Sequence, residues 1–253
     1  MVDMINKKDT RPYLSLILCL LGGFLLTNCQ VTTTRGTADS GVTRTLMVGG
    51  GSSHDFDRWY KQADAQTLRQ DELATVRYTS HTDSIGYYLP NVDVLVLTNN
   101  QPIQDPDVRK AIFDFVNSGK GLVLGHAALW YNWADWPEYN QQLVSGGSRG
   151  HDRYGSFEVT VTQPNHPITS GVPAKFTLKD ELYYFKPDPA GPGIEVLATA
   201  SVPGSDTSFP SVFVVKQGRG RIAGLALGHD ADSHDLPAYQ TLLRNAVQWA
   251  AGK

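Results

Sequence analysis

Short apolar runs in the first half of the chain constrain its fold more than any other feature. They occupy residues 46–48, 92–97 and 122–124, and they are continuous or nearly continuous in apolar side chains. Residues 56–63 and 108–116 lie between them and repeat apolar side chains at helical spacing. Apolar strands alternating with amphipathic helices are typical of a parallel sheet covered on both faces. The pattern therefore predicts an open, doubly wound α/β fold.

Start and stop signals delimit the two clearest helices. Asp105 and Pro106 suit the N-cap and the first helical position, and Gly119 is a stop signal. Pro237 opens the last apolar stripe of the chain, which ends near Gly252. We expect this final helix to cover one face of the sheet.

The second half of the chain departs from the strand–helix alternation. Residues 157–162 alternate with a period of two, and further strands are expected at residues 196–198, 212–215 and 222–225. Loops rich in proline and glycine, rather than helices, separate most of these segments. The sequence therefore predicts β-rich additions to a mainly parallel sheet.

The N-terminal segment has the pattern of a bacterial export signal. Basic residues between positions 7 and 11 precede an apolar run over residues 13–26, which is shorter than the ~20 residues of a membrane-spanning helix. The sequence LTNC then resembles the lipobox of bacterial lipoproteins, in which the cysteine carries the lipid. We expect residues 1–29 to be a lipoprotein-type signal segment ending at Cys29, and the protein to be exported and lipid-anchored to a membrane of the bacterial envelope. An uncleaved anchor is the alternative.

Cysteine usage and charge exclude several classes of function. Cys19 and Cys29 are the two cysteines, so residues 30–253 contain no thiol for a disulfide, a zinc site or a nucleophile. The net charge of −3 comes without a basic stripe, which argues against nucleic acid as a partner. Residues 30–43, rich in Thr, Ser and Gly, are expected to form a flexible tether. Residues 44–253 are expected to form a single domain.

Histidines follow the ends of predicted strands at three places. His54 follows the first strand, His126 follows residues 122–125, and His229 follows the run that begins at residue 222. In an open parallel sheet, ligands bind beyond the carboxyl ends of the strands. We expect these three imidazoles to face one site, although a strand-end histidine also serves as a hydrogen-bonded packing residue.

The residues around His126 suit an exposed turn. Gly125 and the small pair Ala127-Ala128 would let the backbone bend sharply there, as a nucleophile elbow does. Imidazole has an ordinary pKa of ~6.5, which suits proton transfer near neutral pH. Residues 146–150 spell G-x-S-x-G in the wrong context for that motif, since a strand follows. We expect them to form a mobile loop that brings His151 and Asp152 over the site, and a solvated loop without a role in the site is the alternative.

Aromatic and acidic residues supply further candidates. Trp130 and Trp133 lie in an aromatic-rich segment after His126, and indole faces suit the C–H faces of a sugar. Packing of these rings against the sheet is the alternative. Asp180 and Glu181 add carboxylates, for which a site role and a structural role are both open.

Several motifs together resemble the ThuA-like family, which is named for a trehalose-utilisation protein. They include GKGLVLGHAA (119–128), SRGHD (148–152), NHPITSGVP (165–173), KDELYYF (179–185) and GRGRIAGLALGHD (218–230). The resemblance extends from Arg44 to the C-terminus and implies a class I glutamine-amidotransferase-like, flavodoxin-like fold without the catalytic cysteine. It also implies a link to carbohydrate uptake or breakdown. It marks the matching polar residues His126, His151, Glu181, His229 and Asp230, and more loosely His54 in GGGSSHDF.

Three functional hypotheses remain open from the sequence. The first is a hydrolase or lyase acting on trehalose or another disaccharide, including a keto-disaccharide, with His126 as base, His151 or His229 as acid, and Glu181 as the orienting group. Its substrate-binding residues would be His54, Trp130, Trp133, Asp152 and Asp230. The second is a non-catalytic carbohydrate-binding lipoprotein. The third places a divalent metal such as zinc on His126, His151 and His229. The oligomeric state stays open, a homo-oligomer included.

Overall fold

The computed structural model describes residues 41–130 and 134–253. In these ranges the strands form a nine-stranded sheet and a two-stranded sheet. The strands are β1 (Thr43–Val48), β2 (Ala74–Thr79), β3 (Val94–Leu97), β4 (Gly121–Gly125), β5 (Gly146–His151), β6 (Gly155–Val161), β7 (Lys175–Asp180), β8 (Tyr183–Pro187), β9 (Ile194–Ser201), β10 (Phe209–Val215) and β11 (Arg221–Leu225). The α-helices are α1 (Ala65–Arg69), α2 (Ile85–Tyr88), α3 (Pro106–Asn117), α4 (Ala231–His234) and α5 (Pro237–Ala250).

Five neighbouring strands form the parallel half of the large sheet, in the order β2-β1-β3-β4-β11. This half confirms the predicted doubly wound α/β fold. A π-helical segment, Asp57–Asp64, runs into α1 between β1 and β2. β2 did not stand out in the sequence, because it is an edge strand with exposed Thr75 and Arg77 and so lacks a continuous apolar run.

The large sheet continues beyond β11 with antiparallel strands in the order β10-β9-β6-β7. The predicted β-rich additions are therefore present. The separate pair β5–β8 includes residues 146–150, which we expected to form a mobile loop. That expectation is wrong, because Gly146 pairs with Pro187 and His151 with Tyr183 across an antiparallel ladder.

Packing on both faces explains the continuous apolar runs. Neighbouring strand residues point to opposite faces, so Met47 belongs to the buried cluster that includes Leu242 of α5, while Leu46 belongs to the one that includes Ile112 of α3. The N-cap of α3 is as predicted, since the Asp105 carboxylate accepts a hydrogen bond from the Asp107 amide at 2.8 Å. Both faces of the parallel strands are therefore covered by helices.

The predicted signal segment, most of the tether and the lipidation site Cys29 lie outside the described residues. Within ranges 41–130 and 134–253, none of the helices combines the length and the apolar character needed to cross a membrane.

Candidate active site

His126 lies at a sharp turn directly after β4. Its φ is 37°, in the left-handed region that a non-glycine residue occupies at a cost of roughly 1–3 kcal/mol. The side chain is fully buried, and Nδ1 lies 2.7 Å from the carbonyl oxygen of Ala226. Because a carbonyl only accepts, Nδ1 carries a hydrogen, and in the neutral form of the ring Nε2 presents its lone pair. Nε2 has no hydrogen-bond partner among the described residues.

His54 and His229 bring two further rings against His126. The ring centroid of His54 lies 4.9 Å from that of His126 and 4.8 Å from that of His229. One ring nitrogen from each of the three lies within 4.8 Å of the other two. Burial, with the neighbouring His126 and His229 acting in the same direction, lowers the pKa of His54 to about 3. His54 is therefore neutral at pH 7.

Glu181 follows β7 and places one carboxylate among three imidazoles. Its Oε2 lies 3.6 Å from Nε2 of His126 and 3.4 Å from Nδ1 of His229. Its Oε1 lies 3.7 Å from Nε2 of His151. Burial by itself would raise the pKa of Glu181, but the imidazoles of His126 and His229 outweigh burial and lower it. The same contact raises the pKa of His229, so Glu181 is the anionic centre of this cluster.

A pocket of about 170 Å³ opens beside the cluster. It is smaller than the ~300–1,000 Å³ of pockets that enclose a drug-sized ligand, so it fits one end of a larger molecule. A second pocket of about 580 Å³ shares Trp130 with the first and also contacts Arg149 and Asp188. The smaller pocket is lined by Ser53, His54, Asn100, Ala127, Trp130, His151, Glu181 and Tyr183.

Asp180 connects the two chain segments that carry Glu181 and His229. Its fully buried carboxylate accepts hydrogen bonds from the amides of Gly228 at 2.8 Å, His229 at 3.4 Å and Glu181 at 2.6 Å. The hydroxyl of Ser233 also donates to it. One carboxylate therefore sets the position of the β7–β8 connection relative to the loop after β11.

A second buried network of hydrogen bonds holds the loop after β11 in place. Nδ1 of His234 lies 2.6 Å from Oδ1 of Asp64, and Nε2 lies 3.0 Å from the carbonyl oxygen of Gly228. The hydroxyls of Tyr239 and Tyr60 donate to Asp64 and to the Gly228 carbonyl, at 2.9 and 2.6 Å. Both ring nitrogens of His234 face acceptors, which is satisfied when the imidazole is protonated. Burial opposes the charge, but Asp64 outweighs it and raises the pKa of His234.

The structure brings most of the predicted site residues together and leaves others apart. Asp152 accepts a hydrogen bond from Tyr184, and Asp230 caps α4 and accepts one from Tyr154 at 2.9 Å. Of the residues that the structure describes, those lining the smaller pocket include neither Asp152 nor Asp230. Trp133 lies outside the described residues. The members of the cluster are His54, His126, His151, His229 and Glu181, with Trp130 beside it.

Sequence reasoning missed several residues of the site and its support. Tyr183 stacks on His126 with ring centroids 4.4 Å apart, and Ser53 and Asn100 line the pocket. The KDELYYF motif pointed to the first of these, whereas no local pattern marks the other two. Asp64 and His234 lie 170 positions apart in the chain, so their contact had no sequence signal.

Asp180→Asn tests the link between the two segments. An amide offers one acceptor oxygen in place of two and adds two donors, so buried N–H or O–H groups lose their partner at a cost of ~1–3 kcal/mol. We expect the free energy of unfolding, measured by urea titration, to fall by about that amount. The matched control is Asp235→Asn at an exposed position, which should change it by less than ~0.5 kcal/mol. Equal values for the two variants would contradict the assignment.

His234→Gln tests the charged state of the buried pair. The pKa of His234 rises above its ordinary value of 6.5 on folding, so its contribution to stability is complete below the unfolded pKa and is lost as the pH rises through the folded pKa. We expect the difference in unfolding free energy between wild type and His234→Gln to be constant below about pH 6 and to shrink above about pH 7. A difference that instead grows as the pH rises from about 5 to 7 would show that His234 is neutral in the folded protein.

The site lies in a chain whose relatives share both its sequence pattern and its fold. The family model ThuA, described as trehalose utilisation, matches residues 44–250. A ThuA-like protein from Parabacteroides merdae superposes with a TM-score of 0.72 at 24% identity, covering 84% of this chain and 91% of its own. A ThuA-like protein from Bacteroides uniformis gives a TM-score of 0.69 at 21% identity, covering 86% and 94%. At these identities the structural likeness concerns the fold.

A more distant neighbour confirms the predicted superfamily fold. The glutaminase domain of CTPS from Trypanosoma brucei, solved with bound acivicin, superposes with a TM-score of 0.53 at 9% identity, covering 83% of this chain and 94% of its own. Among curated proteins, a sequence search finds no match. The class I glutamine-amidotransferase-like fold is thus present, although residues 30–253 contain no cysteine to serve as a nucleophile. Because the family model covers nearly the whole described chain, this protein belongs to the ThuA family of trehalose-utilisation proteins.

Proposed function

We propose that this protein is an enzyme that transforms a disaccharide, or a keto-derivative of one, by acid–base chemistry at the Glu181 cluster. The observation that carries the proposal is the single carboxylate 3.4–3.7 Å from three imidazoles, beside an open pocket. Groups that exchange protons near neutral pH, gathered beyond the carboxyl ends of parallel strands, are typical of a reaction site. Membership of the ThuA family supports a carbohydrate substrate.

The exposure of the histidine side chains supports a choice of the one that contacts the substrate. The side chain of His151 is 35% exposed and lines the pocket, whereas that of His126 is 0% exposed. A general base must come within hydrogen-bond reach of the proton that it removes. Nδ1 of His151 lies 2.7 Å from the carbonyl oxygen of Asp152 and carries the hydrogen, so Nε2 is free to accept a proton. We therefore place His151 in the role for which the sequence had favoured His126.

The proposed reaction, on a disaccharide that carries a keto group, is proton abstraction next to that carbonyl, followed by elimination. Nε2 of His151 removes a proton from the carbon beside the sugar carbonyl, and the electron pair of that C–H bond forms the enolate. The enolate reforms the carbonyl as the neighbouring glycosidic C–O bond breaks, and the leaving oxygen takes the proton back from the His151 imidazolium. The products are an unsaturated keto-sugar and a free sugar, with no atom gained or lost.

The walls of the pocket suit a sugar. Trp130 and Tyr183 present aromatic rings with centroids 5.5 Å apart, and aromatic faces pack against sugar C–H groups. Ser53 and Asn100 add polar groups to the lining, and the Asn100 amide donates a hydrogen bond to the Ser53 hydroxyl at 2.8 Å. Because the second pocket shares Trp130, one sugar unit would occupy each pocket.

His151→Ala and Glu181→Gln test the proposal on trehalose and its keto-derivatives, with products followed by mass spectrometry. Loss of a positioned acid–base group is expected to lower kcat by ~10²–10⁴-fold. The matched control is His81→Ala, which removes an exposed imidazole outside the pocket lining and should leave kcat unchanged. Full turnover by His151→Ala would remove His151 from the mechanism.

The aromatic lining of the pocket also favours a second candidate function. A non-catalytic carbohydrate-binding protein would use Trp130 and Tyr183 for recognition alone. It predicts saturable sugar binding with no product after long incubation, in wild type and in Glu181→Gln alike. That result would replace the enzymatic proposal.

We further propose that the protein is exported and anchored to a membrane of the bacterial envelope through lipid on Cys29. The support is the sequence alone, where LTNC follows the apolar run over residues 13–26. Several acyl chains, at ~0.8 kcal/mol per buried CH₂, would hold it there permanently.

Cys29→Ala tests this anchor in a bacterial host. Wild type should fractionate with membranes and incorporate labelled palmitate, and Cys29→Ala should incorporate none. Cys19→Ala is the matched control and should behave as wild type. Labelling that survives Cys29→Ala would contradict the assignment.

A further inference from the structure

We propose that His54, His126 and His229 bind a divalent transition-metal ion, with Glu181 as the neighbouring carboxylate ligand. The chemistry assigned to this ion rests on the proposed function, but the binding itself does not. Neutral imidazole and carboxylate are ligands that zinc, manganese and cobalt ions accept in proteins. One ring nitrogen from each of the three histidines lies within 4.8 Å of the other two.

The ring of His126 is prepared as a metal ligand. Metal-binding histidines donate their other ring N–H to a carbonyl or carboxylate, which fixes the tautomer and the ring orientation. Nδ1 of His126 does so, at 2.7 Å from the carbonyl oxygen of Ala226. The fully buried ring therefore directs the Nε2 lone pair into the cluster.

Unpartnered nitrogens converge on the same point. Nδ1 of His54, Nε2 of His126 and Nδ1 of His229 are all buried, and none has a hydrogen-bond partner within residues 41–130 and 134–253. A buried polar atom without a partner costs ~1–3 kcal/mol. Three such atoms facing one another are poorly explained by hydrogen bonding within the chain, and one cation would satisfy all three.

The carboxylate and its support complete the set. Oε2 of Glu181 lies within 3.6 Å of the inward nitrogens of His126 and His229, so the same oxygen can join the coordination sphere. The Asp180 carboxylate accepts hydrogen bonds from the backbone amides of Glu181 and His229 and thereby fixes the position of both ligands. Outer groups of this kind orient ligands in metal sites.

The geometry requires a modest contraction when the ion binds. Zn–N bonds of ~2.0–2.1 Å place tetrahedral ligand nitrogens roughly 3.4 Å apart, against separations of up to 4.8 Å here. His54 follows Gly50 and Gly51, both at positive φ. The contraction therefore requires the His54 loop to move toward His126, which is held by burial, and His229, which is held by the Asp180 hydrogen bonds.

The geometry also changes the ligand set that the sequence left open. His151 belonged to that set, but its Nε2 faces Oε1 of Glu181 at 3.7 Å, whereas His126 and His229 face Oε2. His54 takes its place in the cluster of converging nitrogens. His151 therefore stays free for proton transfer, while the ion would polarise the sugar carbonyl and stabilise the enolate oxygen as a Lewis acid.

The test is metal binding by the full chain, purified with chelator and dialysed. Zn²⁺, Mn²⁺ and Co²⁺ are titrated separately by calorimetry, and Co²⁺ is also followed by its visible absorption, which reports the ligand geometry. We expect one ion per chain and a higher Tm with metal present. His54→Ala and His126→Ala should each weaken binding by ~100-fold or more. His81→Ala, which removes an exposed imidazole outside the cluster, is the matched control and should bind as wild type.

Outcomes of this experiment separate the two proposals. His54 is partly exposed, so His54→Ala keeps the test decisive even where His126→Ala fails to fold. Absence of stoichiometric binding for all three ions, or binding unchanged in His54→Ala, overturns the metal site. Sugar turnover by metal-free protein keeps the proposed function and removes the ion from it, whereas tight metal binding without any sugar product keeps the ion and removes the function.

Discussion

The buried carboxylate of Asp180 is the interaction on which the rest of the site depends. It accepts hydrogen bonds from the amides on both sides of the cluster, at Glu181 and at Gly228-His229, and from the Ser233 hydroxyl. An ionised group is tolerated in a protein interior when hydrogen bonds satisfy its lone pairs. Here the satisfied carboxylate joins the end of β7 to the loop after β11, and this connection keeps Glu181 among the imidazoles.

The fold was predictable because its signals are local. Continuous apolar runs follow from burial on both faces of the parallel strands, and Asp105-Pro106 and Pro237 mark helix starts that the structure confirms. β2 was missed because one edge of the strand meets water and its sequence is half polar. The segment 146–150 was misassigned because its glycines resemble a loop, whereas their partners in β8 are about forty residues away.

The site was predictable only in part, since its geometry depends on contacts between distant segments. Histidines after parallel strands meet at one edge of the sheet, which the order of the strands explains for His54, His126 and His229. Nothing local distinguishes a carboxylate that faces the pocket from its neighbour that faces the interior, so the residue pattern left Asp180 and Glu181 equivalent and only the family resemblance marked Glu181. Their separate roles follow from the end of β7, where consecutive side chains point in opposite directions.

The cluster draws its members from the parallel strands and from the antiparallel additions around them. The parallel strands carry the three converging imidazoles, whereas Glu181 follows the antiparallel strand β7 and His151 ends β5 of the separate two-stranded sheet. A scaffold divided in this way allows the reaction to diverge between relatives. Exchange of the antiparallel segments would replace Glu181 and His151, which contact the ligand, while the three histidines and the parallel strands that carry them persist. One ancestral fold can thereby give rise to paralogues that catalyse different reactions and share the same three histidines.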